Sequence, residues 1–335
     1  MLYLHLYSFF AKATKRHGTM KVGVHKSQTN VVDPYFVPIS DKSHVSFAHS
    51  FAHTANYIII WDSSVHFDHS AIFRGGSFFR FNNNHNLKFG LVPKDATCQE
   101  DVIWIDSGEP GAILHQLHAW EEVEEKYLHG DKISSRTIIK LWTPLSQNFS
   151  MDIEESNTFR MVEFAIDVQE RKVVHEVIHH SINVEMSVMP PPLSSKVHSE
   201  EVFTSCTIFT PNSNSHDHSD DMSIRCTSTL SSADRFGFTA IQKFEESGEF
   251  VGFAKWDMMN RRLVSTVYYR DSEIGGEPII IRATELDEVY VGSYLYNKEE
   301  DQSYFVLYDS KTNTFICRLK MPQRVPQGIH GTFVR

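Results

Sequence analysis

The sequence predicts an all-β protein. Three observations carry this: short apolar or alternating runs recur along the chain, turn chemistry separates them, and no helical periodicity alternates with them. Residues 54–61 (TANYIIIW) read as a buried strand, because a continuous β-branched run leaves neither face polar. Residues 87–92 (LKFGLV), 101–105 (DVIWI) and 137–142 (TIIKLW) follow. Residues 159–168 and 172–178 form a hairpin around Gln169-Glu170-Arg171. Further strands are predicted at 250–256, 262–269, 278–282, 289–296, 303–309 and 314–319, the last two flanking the turn Ser310-Lys311-Thr312-Asn313. So many strands of even length point to a barrel, sandwich or propeller and exceed one simple sandwich. The chain has no tight repeat of the WD40 kind. Residues 189–199, with three consecutive prolines, and 211–221 (PNSNSHDHSDD) read as surface loops.

The 335 residues allow one large domain or two ordinary ones. A 41% hydrophobic and 22% charged composition suits a substantial core. Net charge is −10, which argues against non-specific nucleic-acid binding, since that requires excess Lys and Arg to displace counterions. The four cysteines (Cys98, Cys206, Cys226, Cys317) are widely spaced, so a disulfide scaffold or thiolate zinc site is not expected and a reducing compartment, cytoplasm or plastid, is. No segment has the uninterrupted apolar length of a membrane span. The start has a short apolar run without preceding basic residues, a poor signal peptide.

Histidine is over-represented at 19 residues, which raises the prior for a metal site without locating it. His175-Glu176-Val177-Ile178-His179 matches HExxH, the pattern of a zinc metalloprotease when helical. Its surroundings are β-branched and follow a turn, and on a strand the two histidines lie too far apart for one metal. His216-Asp217-His218 with Asp220 and Asp221 sits in a Ser/Asn-rich stretch and reads as a solvated loop. Arg74-Gly75-Gly76 lacks any phosphate-loop spacing and reads as a turn. Three other histidines are scattered: His49 in FAHSFAHTANY, His115 in LHQLHAWEE and His330 in PQRVPQGIHGTF. Ligands delivered from separate strands to a common axis would give such a pattern, although isolated histidines are more often surface or core residues.

These segments resemble the carotenoid cleavage oxygenase family, which includes the retinal pigment epithelium isomerase. AHSFAHTANY matches the family's M-H-D/S-F-x-x-T-x-N-Y, LHQLHAWEE matches F-H-x-x-N-A-x-E-E, and PQRVPQGIHGTF matches P-x-R-V-P-x-G-F-H-G-T-F. Gly275-Gly276-Glu277-Pro278-Ile279-Ile280-Ile281 resembles G-G-E-P-x-F-V, and Val184-Glu185-Met186 falls where the family has E-F-P. The motifs occur in family order from residue 47 to the C-terminus.

The resemblance implies a seven-bladed β-propeller, incomplete at the N-terminus, spanning 1–335 as one domain with a poorly matched start at 1–40. It implies a non-haem Fe(II) on the propeller axis, with His49, His115 and His330 as ligands. It also implies that Glu185 and Glu277 accept the outward N–H groups of ligand histidines, fixing tautomer and orientation. The implied reaction is cleavage of a conjugated C=C bond of a carotenoid or apocarotenoid by O₂ to two carbonyl products; a stilbene is a less favoured substrate. Access would be through an aromatic-lined tunnel, Phe alone contributing 24 residues, with peripheral membrane contact. In a strand, His118, which replaces the family's Asn, faces away from His115, whereas His53 shares the face of His49. The family's first iron-binding histidine lies in an A-H-P-like segment some way before the second, and His5, His17 and His25 match no such motif. A fragmentary gene model is the favoured reading, a short degenerate paralogue the alternative. Two rival functions stand beside the oxygenase: a non-catalytic propeller, and the HExxH protease, which a strand across 172–180 would eliminate.

Overall fold

A computed structural model describes most of residues 46–326, with Gly331 and three short strands nearer the start, Tyr7–Ser8, Thr19–Val22 and Tyr35–Pro38. Within that span, residues 48, 69–72, 74–76, 130, 151–156, 191–205, 210–221, 232–233, 244–247 and 284–287 are not described. His330, Arg74-Gly75-Gly76, the His216–Asp221 cluster, His5, His17, His25 and most of both predicted loops therefore lie outside the described residues.

The described elements are β-strands apart from short 3₁₀ turns such as Gln99–Asp101. A six-stranded sheet runs Lys172–Val177, Arg160–Asp167, Asp131–Leu145, His118–Leu128, Met222–Ser228, Cys206–Phe209. A nine-stranded sheet follows the path Asn183–Val188, Phe236–Gln242, Phe250–Asp257, Glu273–Gly275, Val289–Asn297, Gln302–Asp309, Phe315–Lys320, with Arg262–Tyr268 and Ile279–Arg282 as side branches. Ala52–His53, Tyr57–Asp62, Lys88–Pro93 and Ile103–Asp106 make a four-stranded sheet, and Val65–Phe67 pairs with Phe79–Phe81. The ladders are antiparallel, as hairpin connection requires.

The predicted strands appear at or near their expected places; one is much longer than expected, and several strands were not expected, among them His118–Leu128, Asn183–Val188, Met222–Ser228 and Phe236–Gln242. The strand expected at 137–142 is the inner part of Asp131–Leu145, whose first six residues are all exposed and so carry no burial pattern to read. Its partner His118–Leu128 is rich in glutamate, and its pattern predicts no strand. The first three residues of HEVIH, His175 to Val177, end the strand Lys172–Val177, hydrogen-bonded to Arg160–Asp167, and Ile178 and His179 follow without helix, so the helix a zinc protease requires is absent there.

Four hairpin turns share one device. The last residue of the first strand is Asp167, Asp257, Asn297 or Asp309, and its side-chain oxygen accepts backbone N–H groups two or three residues on (Gln169 and Glu170, Asn260, Glu299 and Glu300, Lys311 and Thr312). Each turn ends on a residue in the left-handed region: Arg171 (φ 52°), Arg261 (51°), Asp301 (48°) or Asn313 (57°). This is a structural repeat written in so few residues that the sequence shows no period.

The core lies between sheets. Ile58, Ile59 and Ile60 are fully buried, each contributing about 2 kcal/mol by the area it removes from water. Trp61, Trp142 and Trp256 are also fully buried, and each indole N–H finds an acceptor: Ile113 O at 3.1 Å, a Glu163 oxygen at 2.8 Å and Thr239 Oγ1 at 2.9 Å.

Candidate metal centre

His49 and His115 lie in non-strand segments that lead into Ala52–His53 and His118–Leu128 respectively. Though 66 residues apart, their Nε2 atoms are 3.2 Å from each other, with rings at 89°. Beside them Ser50 Oγ donates to Gln116 Oε1, a second link between the same two segments.

On its other side, His115 Nδ1 is 2.5 Å from Glu185 Oε2. Glu185 is 4% exposed and sits on the strand Asn183–Val188, where the register against Phe236–Gln242 shifts between Glu185 and Ser187. The intervening Met186 has φ 52°, and its N–H donates to the same carboxylate at 2.6 Å. A bulge of this kind re-aims the neighbouring side chain, here toward His115. Glu185 thus reaches His115 with Met186-Ser187 standing where the resembled motif has Phe-Pro. The Nδ1–H···carboxylate bond fixes the tautomer that leaves Nε2 with its lone pair. Burial alone would lower the His115 pKa, but the hydrogen bond and charge of Glu185, with the charge of Glu277, raise it.

Glu277 lies between the strands Glu273–Gly275 and Ile279–Arg282, and its Oε2 accepts the Gly331 N–H at 2.9 Å. It thereby holds the residue next in sequence to His330. Among the described residues no three histidine, cysteine or acidic side chains converge on a point for a metal ion; the third predicted ligand, His330, is outside them.

His118 begins the strand, stacks on Trp120 with ring centroids 6.1 Å apart, and has its pKa lowered by burial. His53 is exposed, and its strand reaches back only to Ala52, so the shared strand face expected with His49 does not extend to it. His175 packs on Phe164 at 5.3 Å, and His179 lies beyond the strand, accepting the Ser181 N–H at 3.3 Å. These two histidines do not form a metal pair.

The motifs around His49 and His115 also contain Thr54, Asn56 and Glu121, to which sequence alone assigns no role. Glu121, 2% exposed, accepts from Thr54 Oγ1 at 2.5 Å, Asn56 N at 2.8 Å and Asn56 Nδ2 at 2.7 Å. The signal is present in the paired motifs T-x-N-Y and E-E; what joins them is tertiary.

From His49 a run of aromatic rings extends: Phe47 at 5.5 Å, Phe79 at 4.4 Å from Phe47, Phe67 at 5.8 Å from Phe79, and Phe78 stacked at 6.0 Å on Phe67. Phe78 is 45% exposed, so the run reaches the surface. A separate cavity of about 340 Å³ is lined by Trp120, Glu122, Lys140, Glu163, Met258 and Arg261 among others, and includes none of the predicted ligands.

An all-β chain with this arrangement shares its fold with known oxygenases. It matches cobalt-substituted Synechocystis ACO with TM-score 0.64 at 16% identity, over 95% of this chain and 58% of that one. It matches Pseudomonas brassicacearum lignostilbene dioxygenase with TM-score 0.67 at 14% identity, over 96% and 61%. The family model described as retinal pigment epithelial membrane protein matches residues 3–335, and the chain belongs to that family. Among curated relatives, the chloroplastic 9-cis-epoxycarotenoid dioxygenase NCED6 of Arabidopsis thaliana is 26% identical over 288 residues, 85% of this chain and 42% of that protein. The chromoplastic zeaxanthin 7,8(7′,8′)-cleavage dioxygenase of Crocus sativus is 24% identical, over 89% and 71%. The chain thus spans about two fifths of the first of these relatives and about three fifths of the solved structures.

Proposed function

We propose that this chain belongs to a non-haem Fe(II) dioxygenase that cleaves a conjugated C=C bond of a carotenoid or apocarotenoid with O₂, giving two carbonyl products. The observation that carries the reading is the facing Nε2 pair of His49 and His115 with Glu185 behind His115. The donor set suits iron. Two nitrogens bound to one metal at about 2.1 Å each, at right angles, sit roughly 3 Å apart, close to the 3.2 Å between these atoms. Imidazole is a common ligand for Fe(II), and neutral ligands leave the ion its full charge. Glu185 Oε1 is buried with no hydrogen-bond partner, as expected of a carboxylate whose charge answers a cation nearby.

In this reading His49, His115 and His330 hold the iron, Glu185 orients His115, and Glu277 supports the His330 segment through Gly331. When bound, the iron supplies open coordination positions at which O₂ is activated. The phenylalanine run from Phe78 to Phe47 guides an apolar polyene toward the histidines and excludes water from its path. The full domain is a seven-bladed propeller with the ligands on its axis, contacting a membrane at its periphery. The substrate class follows the relatives' names and the iron follows the family resemblance; this chain's geometry supplies the paired nitrogens.

The test is iron content of the purified chain together with chromatography of carotenoid and apocarotenoid incubations for aldehyde products. Near-stoichiometric iron and cleavage of a conjugated polyene are expected. Trace iron with no cleavage of any tested carotenoid would leave a non-catalytic paralogue instead.

A further inference from the structure

We infer that Glu121 is a positioning residue: its buried carboxylate clamps the turn after His49 to the strand after His115 and so sets the separation of the two imidazoles. The inference rests on the iron reading above only for its consequence in metal binding.

Glu121 stands six residues after His115, and Thr54 five after His49. One carboxylate gathers three donors from the turn, the Thr54 hydroxyl, the Asn56 amide N–H and the Asn56 side-chain NH₂, at 2.5–2.8 Å. Hydrogen bonds to an ionised, buried acceptor are among the strongest a protein makes. The turn is closed by Thr54 N–H to Tyr57 O at 2.8 Å and by Tyr57 N–H to Thr54 Oγ1 at 3.1 Å. From another side, Lys94 donates its ammonium to Thr54 O at 2.5 Å and its backbone N–H to Asn56 O at 2.9 Å. The backbone of Glu121 is itself held: its N–H donates to Thr229 Oγ1 at 3.0 Å and its carbonyl accepts the Thr229 N–H at 2.9 Å. Neither end of the clamp can drift alone. The Ser50–Gln116 contact makes a second link between the same segments, next to the histidines. The hydrogen bonds of the Glu121 carboxylate run to Thr54 and Asn56 and to neither histidine, its charge also acts on Lys94 and Tyr57 around the same turn, and the cavity near Trp120 does not include it.

The contact has a polarity that can be reversed. Asn56→Asp alone sets a second carboxylate against Glu121. The double variant Asn56→Asp/Glu121→Gln restores a full set. The introduced glutamine offers its oxygen to the Thr54 hydroxyl and the residue 56 N–H, while its NH₂ donates to the new aspartate.

The test uses the whole chain labelled with ¹⁵N-histidine. The His49 and His115 ring signals are identified by their loss in His49→Ala and His115→Ala, and Co(II) affinity and absorption are measured alongside. Glu121→Ala and Asn56→Asp are expected to shift both ring signals, to weaken Co(II) by about ten- to a hundredfold, and to speed exchange of the residue 56 amide. Asn56→Asp/Glu121→Gln is expected to restore all three. If Glu121→Ala does not fold, Asn56→Ala replaces it, since Asn56 is exposed and loses one contact only. Unchanged His49 and His115 signals in a folded variant whose residue 56 amide exchanges fast would overturn the clamp, as would a swap no better than Asn56→Asp. A wild-type chain that binds no Co(II) would refute the iron reading, while the ring signals of the metal-free chain still decide the clamp.

Discussion

His115 presents Nε2 to the Nε2 of His49 at 3.2 Å while Glu185 holds its other ring nitrogen at 2.5 Å. A histidine so placed is oriented from behind by the carboxylate and turns its Nε2 toward the other imidazole. His115→Ala is therefore expected to abolish tight Fe(II) or Co(II) binding, and Glu185→Ala to weaken it by roughly ten- to a hundredfold. Glu185→Gln, which can still accept from Nδ1–H, should fall between. Metal content by elemental analysis and a Co(II) titration measure both, and a His115→Ala chain with unaltered metal content contradicts the ligand assignment.

His175 gives the opposite expectation. It lies on a strand against Phe164, 3.9 Å from a Glu109 oxygen, and has no partner histidine at helical spacing. His175→Ala should leave metal content unchanged and cost under about 1 kcal/mol of stability, as partly exposed substitutions usually do. Zinc-dependent peptide hydrolysis lost with His175 is the contrary result.

Gly252 lies on the strand Phe250–Asp257, where a Cβ would stand 2.0 Å from the Val267 carbonyl oxygen of the neighbouring strand. Alanine in a strand is ordinarily no worse than glycine. Here backbone must move, so Gly252→Ala should lower stability by about 3 kcal/mol, measured by urea unfolding with the slope unchanged.

Asp257 is 1% exposed and bound by Arg235 through two contacts at 2.9 and 2.6 Å and by Asn260. Burial works to raise its carboxyl pKa, but the Arg235 and Asn260 hydrogen bonds outweigh it and hold the pKa below the usual value. A depressed folded-state pKa contributes stability that is present above the unfolded value of about 3.9 and is lost as pH falls through the lower folded value. Asp257→Asn should therefore lower the unfolding temperature most near neutral pH, with the gap to wild type narrowing below about pH 4. Circular dichroism melts across that range check it; a constant gap argues against the ion pair.

Local chemistry made much of this chain legible. Alternation and β-branching located Tyr57–Asp62, Lys88–Pro93 and the hairpins from Arg160 to Val177 and from Val289 to Lys320, because a strand's side chains report the environment of its two faces. The same test missed His118–Leu128 and the first six residues of Asp131–Leu145, where partial or full exposure erases the alternation, and it passed over Asn183–Val188 and the buried run Phe236–Gln242. The repeated Asx hairpin was written in the sequence but in too few positions to stand out.

The sequence by itself determined which residues are available as ligands, the antiparallel β class, and the strand character that removes HEVIH from zinc chemistry. The tertiary structure alone decided that His49 and His115 face each other, that a bulge at Met186 turns Glu185 onto His115, and that Glu121 gathers Thr54 and Asn56. Those partners are 65 to 70 residues apart. Strand pattern is fixed by neighbours one and two positions away, whereas a contact across such a gap depends on sheet order and register, which no local run of residues encodes.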